Sequence, residues 1–189
     1  MIHFSFIVLF HNNSDTDRVV DSILKEFIAG DEIIVVDDHS EKENLCLFDR
    51  FGDKIQLVHS DRGGNRGYNR NYGASIARND YYLFVDGDMV FLPNAITAMR
   101  ISMEQGYVGA VGNVICSDNT SAHMNLLTGI DYLNLIRTNL APSEVIRLGM
   151  FYDNRQSDLY EKIAVNSLWE YFYAGYCAVE KAAFQRTGG

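Results

Sequence analysis

Along the first half of the chain, short runs of consecutive apolar residues alternate with stretches in which apolar residues recur every three or four positions. FSFIVLF (4–10) reads as a buried strand and is followed at once by polar HNN. Val19, Val20, Ile23, Leu24, Phe27 and Ile28 then share a helical face, with Ser14 as the predicted cap, Asp15 and Asp17 in the first turn and Gly30 as the stop. EIIVV (32–36) is a second buried strand running into DDHS; a short helix through Leu45, Phe48 and Phe51 ends near Gly52, and IQLVH (55–59) makes a third strand. SDRGGNRGYNRN (60–71) reads as a loop leading to a helix around 72–78, ahead of the strand YYLFV (81–85). Pro93 is expected in the first turn of a helix whose face holds Ile96, Met99 and Met103 and which Gly106 ends; YVGAVGNVI (107–115) follows as a strand.

Short apolar strands separated by helices predict an α/β fold, a three-layer sandwich with a mainly parallel sheet covered on both faces. Ligands of such sheets collect outside the carboxyl ends of the strands. The polar clusters HNN, DDHS and DGD each follow a strand directly, so all three are expected on one edge. From about 117 to 170 the pattern weakens. Residues 121–140 look helical, 150–171 have no clear period, and segments of this kind are often lids or binding loops. Residues 172–189 read as a strand and a short helix ending in Gly188 and Gly189.

The length of 189 residues, 47% of them hydrophobic, suits one domain with its own core. With 25 acidic against 16 basic residues and a formal charge of −9, and without a Lys/Arg run to track a phosphate backbone, nucleic acid is not an expected partner. No apolar stretch approaches the ~20 residues needed to cross a bilayer, and the chain reads as soluble and cytoplasmic. Cys46, Cys116 and Cys177 are odd in number and widely spaced, which favours buried free thiols over a disulfide framework or a metal knuckle.

The chemistry concentrates in LFVDGDMVFL (83–92), where Asp86 and Asp88 interrupt an apolar run. Two carboxylates at a strand end can present oxygen ligands to a hard divalent cation that keeps positions open for phosphates. Asp-Gly alone is also ordinary turn chemistry, and Gly87 would allow a tight bend and a close approach to a ligand. Asp37, at the end of the second strand, is placed to accept from a base N–H or a ribose hydroxyl, while Asp38 or Ser40 suits a helix cap. Arg62, Arg66 and Arg70 offer guanidinium forks for a diphosphate, or pair with surplus surface acids; Arg70 has the better case for a ligand role.

FIVLFHNN, IIVVDDHS, NRGYNRNYGASIARNDYYLFVDGDM and AVEKAAFQRTGG resemble, in order and spacing, the nucleotide-sugar glycosyltransferases of the GT-A (Rossmann-like) fold, inverting family 2 in particular. The resemblance covers 4 to about 112 and 172–189. It implies a nucleotide pocket lined by Phe10, His11 and Asn13, of which Asn13 alone keeps the family pattern. It implies Asp37 at the base, Asn65, Gly67 and Arg70 in the loop that meets the nucleotide or its phosphates, and Ala174 and Gly175 beside the donor sugar. Asp86 and Asp88 become the Asp-x-Asp pair that holds Mn²⁺ or Mg²⁺, with Asp88 the direct ligand and Asp86 on metal or ribose.

The same resemblance implies metal-assisted, inverting transfer of a sugar from a nucleoside diphosphate, UDP foremost, to a saccharide or other hydroxyl acceptor, in bacterial polysaccharide or glycoconjugate synthesis. It divides the single domain into a donor half (1–112) and an acceptor-side half (113–189) that is expected to be truncated. No catalytic base is assigned within the chain, because family members carry it after the Gly-Gly pair, beyond Gly189. A non-catalytic nucleotide-sugar-binding domain and a sugar-phosphate nucleotidyltransferase are the alternatives; the second would open with a Gly-rich basic loop where this chain has HNNSD. His123 and the aromatic group Trp169, Tyr171, Phe172 and Tyr173 read as incidental and as core or rim, and carry no assigned role.

Overall fold

A computed structural model of the chain describes residues 1–111 and 175–188. Within them six strands form one sheet: β1 Phe4–Phe10, β2 Glu32–Asp37, β3 Gln56–His59, β4 Tyr81–Asp86, β5 Gly109–Val111 and β6 Tyr176–Glu180. Their order is β3-β2-β1-β4-β6-β5. β1 to β4 run parallel, and β6 lies antiparallel between β4 and β5, so the sheet is mainly parallel as its apolar runs predict.

Alternation along β1 feeds two cores. Phe4, Phe6, Val8 and Phe10 face the layer of α1 (Thr16–Leu24), α4 (Ala95–Glu104) and the turn of 3-10 helix through Phe48 and Phe51. Ile7 faces the other layer with Ile34, Val36, Ala74, Tyr82 and Phe84, under α3 (Arg66–Ile76) and α5 (Lys181–Arg186). These are the three layers expected. α3 lies flat on β1 and β2 because Gly73 has no side chain: a Cβ there would stand 2.5 Å from Ile7 Cγ2 and 3.0 Å from Val36 Cγ2. Among the described residues no helix is long and apolar enough to cross a membrane.

Several boundaries differ from the sequence reading, each for a local reason. α1 stops at Leu24 rather than running toward Gly30. Asp31 captures the chain beyond it, its carboxylate accepting from Ile28 N–H at 3.1 Å and its own N–H donating to the Ile28 carbonyl at 3.0 Å, a side-chain turn that outcompetes the helix. Asp15, not Ser14, is the residue before α1, and it makes no side-chain cap. Between β2 and β3 the short helix is one turn, α2 (Lys42–Leu45), followed by 3-10 helix over Cys46–Lys54 that kinks at Gly52. α3 begins at Arg66, inside the segment read as loop, and Pro93 falls before the αL residue Asn94 (φ 68°) that precedes α4. Cys46 is exposed, its thiol donating to the Glu43 carbonyl at the end of α2, while Cys177 is buried as expected; both are free. The helix read over 121–140, the segment 150–171, Cys116, His123, Trp169, Tyr171, Phe172, Tyr173 and Ala174 lie outside the described residues.

Candidate functional site

The chain steps from β1 to β2 to β3 in one direction and then returns to place β4 on the other side of β1. The carboxyl ends of β1 and β4 therefore flank a topological switch point, the place where α/β sheets open a crevice. Register aligns the acids there: Asp37 pairs with Phe10 on one side and His59 on the other, and Asp86 pairs with Leu9.

From β1 the contributions are mixed. Phe10 points into the core, 1% exposed, with its ring edge-on to Phe48 at 4.9 Å; its carbonyl accepts from Asp38 N–H at 2.8 Å. His11 is exposed, and its Nδ1–H donates to the Asp38 carbonyl at 2.7 Å. Asn13 joins β1 to β4 through an Nδ2–H bond to the Gly87 carbonyl at 3.2 Å. Asn12, which the sequence did not single out, adopts φ 50° and ties the β2 loop down: its N–H donates to Ser40 Oγ, and its Oδ1 accepts from Glu41 N–H and Asn44 Nδ2.

At the end of β2, Asp37 is almost closed off, its side chain 5% exposed. Oδ1 accepts from Ser40 N–H and Oδ2 from His59 Nδ1–H, each at 2.9 Å. Burial alone would raise its pKa, but the hydrogen bonds from Ser40 and His59 outweigh burial and hold the carboxyl below the usual value. Asp38 stands further out and accepts from Gly64 N–H at 2.8 Å, fastening the glycine loop. Asn65 caps α3, its Oδ1 accepting from Tyr68 N–H at 2.8 Å. Arg62 turns outward over the Tyr68 ring at 4.7 Å, and Tyr68 donates to Asp61 at 2.6 Å.

At the carboxyl end of β4, an ion pair joins α3 to the strand. Arg70 Nη2 donates to Asp86 Oδ1 at 2.5 Å, with side chains 15% and 16% exposed; among the described residues Arg70 Nε has no hydrogen-bond partner. Asp86 N–H donates to the Gly175 carbonyl at 2.8 Å, which brings Gly175 to the same edge. Asp88 is exposed. The glycine between the two acids is required by the protein's own packing: a Cβ on Gly87 would lie 2.5 Å from the Leu9 carbonyl oxygen and 2.8 Å from Thr16 Oγ1. Its carbonyl in turn accepts from Thr16 Oγ1 at 2.9 Å. The close approach expected of Gly87 is thus made to β1 and α1. Beneath the pair, the Cys177 thiol is pushed up to about 12 by burial and is chemically inert.

Asn13, Asp37, Arg70, Asp86, Asp88 and Gly175 are brought together along this edge, with His11 at its outer lip. Phe10 contributes backbone only, and the Asn65 carboxamide is spent on a cap. His59, which locks Asp37, carried no signal in sequence; only the parallel register of β2 and β3 reveals it. Two adjacent carboxylates, one open to solvent, fit a divalent cation that takes further oxygens from a ligand. Among the described residues there is no group of three or more His, Cys, Asp or Glu that would hold a metal without such help.

An acid-lined carboxyl edge at the switch point of a mainly parallel, two-faced sheet defines a doubly wound α/β protein whose ligand site lies at that edge. The sequence model described as Glycosyl transferase family 2 matches residues 5–171, and the chain belongs to that family. It is 34% identical over 97 residues to an uncharacterized glycosyltransferase of Rickettsia felis, covering 49% of this chain and 16% of the relative. It is 27% identical over 118 residues to the glycosyltransferase GlyG of Streptococcus pneumoniae, covering 60% and 39%. The chain thus spans well under half the length of these curated relatives. Among solved structures, the mannosyltransferase PcManGT from Pyrobaculum calidifontis in complex with GDP-Man and Mn²⁺ shares the fold, with a TM-score of 0.50 and 17% identity over 66% of this chain and 38% of that one.

Proposed function

We propose that this chain carries the donor site of a cytoplasmic glycosyltransferase that moves a sugar from a nucleoside diphosphate, UDP foremost, to an acceptor hydroxyl with inversion, in the assembly of a bacterial polysaccharide or glycoconjugate. The observation that carries this reading is the meeting of Asp37, the Arg70–Asp86 pair and open Asp88 at one switch point. In this reading residues 1–112 are the donor half and the remainder belongs to the acceptor side. The exposed free thiol of Cys46 suits a reducing compartment.

The departing nucleoside diphosphate gains negative charge on oxygen, and a fixed cation beside it lowers that barrier. Arg70 supplies one such charge from a rigid helix. A divalent cation, Mn²⁺ or Mg²⁺, held by Asp88 with Asp86 beside it would supply Lewis-acid stabilisation of the same oxygens. Asp37, kept ionised and oriented by Ser40 and His59, offers acceptor lone pairs to a base N–H, with Asn13 and His11 at the mouth and Gly175 where the sugar would lie. A carboxylate that takes the proton of the acceptor hydroxyl completes an inverting displacement.

Calorimetric titration of UDP, UDP-sugars and GDP-mannose with and without Mn²⁺ tests the reading. Metal-dependent binding of at least one nucleotide is expected, and Asp88→Ala should remove the metal-dependent part while leaving the melting temperature close to wild type. Binding indifferent to the metal, or unchanged in Asp88→Ala, refutes the assigned role.

A further inference from the structure

We infer that Arg70 is an internal counter-ion for Asp86 that keeps the empty site from taking up a divalent cation, so that metal and nucleoside diphosphate enter together. The inference rests on the reading of Asp86 and Asp88 as the metal-side carboxylates and goes beyond it in assigning the order of assembly.

The geometry is specific. Arg70 Nη2 and Asp86 Oδ1 are 2.5 Å apart, in a setting where both side chains are about five-sixths covered (15% and 16% exposed). A pair so covered is screened less than a surface pair and is costly to break without a replacement partner. The guanidinium cannot easily swing away. Its helix is pressed onto β1 and β2 at Gly73, is capped by Asn65, and carries the neighbouring buried Asn69, whose Oδ1 accepts from Ser60 Oγ. Asp86 is equally fixed, through its N–H bond to the Gly175 carbonyl.

A cation arriving alone therefore meets one open carboxylate, Asp88, and one already neutralised. To use both it must displace Arg70, whose Nε is already without a partner among the described residues and whose Nη2 would lose its own. A nucleoside diphosphate changes both terms. Its phosphate oxygens complete the coordination of the cation, and its negative charge gives Arg70 a second anion to satisfy the donors left over, with Nε foremost. Metal and nucleotide are then positively linked, each raising the affinity of the other by the same factor.

The test measures Mn²⁺ binding to the 189-residue chain by electron paramagnetic resonance, with the metal alone and with UDP or GDP added. Wild type is expected to bind Mn²⁺ alone weakly and about tenfold or more tightly with a nucleotide. Arg70→Gln, verified as folded by circular dichroism, is expected to bind Mn²⁺ alone about tenfold more tightly than wild type, and Arg70→Met to do the same. Arg70→Lys, which keeps a cation, should stay near wild type. The gain should vanish in Arg70→Gln/Asp86→Asn, since it comes from freeing Asp86. Arg70→Gln no tighter than wild type, a gain that survives Asp86→Asn, or equal wild-type Mn²⁺ affinity with and without nucleotide each overturns the inference. Wild type taking up no Mn²⁺ with UDP or with GDP overturns the metal-assisted reading itself, whatever the Arg70 variants do.

Discussion

Asp37 is less exposed than Asp86 and more fully hydrogen-bonded, held by Ser40 N–H and His59 Nδ1–H at 2.9 Å each. A carboxyl whose folded pKa lies below its unfolded value of ~3.9 stabilises the fold fully above that value, and the contribution is lost as pH falls toward the folded pKa. Asp37→Asn is therefore expected to cost about 1–2 kcal/mol at neutral pH, and urea denaturation at a series of pH values should show the gap to wild type closing below about pH 4. A gap constant down to pH 3 would mean that the carboxylate charge is not what Ser40 and His59 hold. Glu32 is lowered too, its burial outweighed by Ser5 and Arg78, so the variant keeps part of the acid sensitivity. At this scale the sequence was legible where a polar residue directly follows a strand, as at Asp37, Asp86 and Asp88. It was illegible where the partner lies one strand away, as with His59, and where strand alternation turns a residue inward, as with Phe10. Gly87 was legible as a special position but not in its reason, because the Leu9 carbonyl that crowds it belongs to another strand.

Helices and strands were legible from periodicity, whereas their ends depended on contacts that no local pattern contains. α1 ends early because Asp31 binds the backbone at Ile28, and α3 starts early because Asn65 caps it within a stretch whose glycines read as loop. The second case has a functional consequence, since starting α3 at Arg66 puts Arg70 on a rigid helix rather than a loop. Asn65→Ala should destabilise the fold by about 1 kcal/mol, whereas Asn65→Asp or Asn65→Ser, which keep the capping oxygen, should cost much less. Chemical denaturation reads the difference. Equal losses in all three would show that the Asn65 side chain acts on something other than Tyr68 N–H. Because Arg70 sits in the second turn of the same helix, fraying of the first turn in Asn65→Ala should also weaken nucleotide binding more than the stability loss alone accounts for.

Across the whole sheet the two strand edges divide the work. The carboxyl edge collects Asp37, exposed Asp88 and the Arg70–Asp86 pair; the amino edge holds a buried ion-pair network. There Arg100 grips Asp31 with Nη1 and Nη2 at 3.1 and 2.9 Å, donates to the Ile2 carbonyl, and lies over the Phe4 ring at 4.8 Å. Asp31, its side chain 0% exposed, also accepts from Phe4 N–H at 2.8 Å, so the pair joins α4, β1 and the turn before β2. The topology that creates this separation was legible in outline, from strands alternating with helices, while the Asp31–Arg100 staple, 69 residues apart in sequence, was not. Removing one partner strands a buried charge and is expected to cost about 3–5 kcal/mol, whereas replacing both with apolar residues of similar size often costs far less. Arg100→Met should therefore lower the melting temperature sharply, and Asp31→Asn/Arg100→Met, which removes the stranded charge but keeps a side-chain oxygen to accept from the backbone, should recover part of the loss. If the edges are independent, calorimetry below the transition should give the same UDP affinity in the presence of Mn²⁺ for the double variant as for wild type. A nucleotide affinity that falls in step with stability would show instead that the amino-edge staple sets the spacing of β1 and β4 at the switch point, and that the division between the edges is not real.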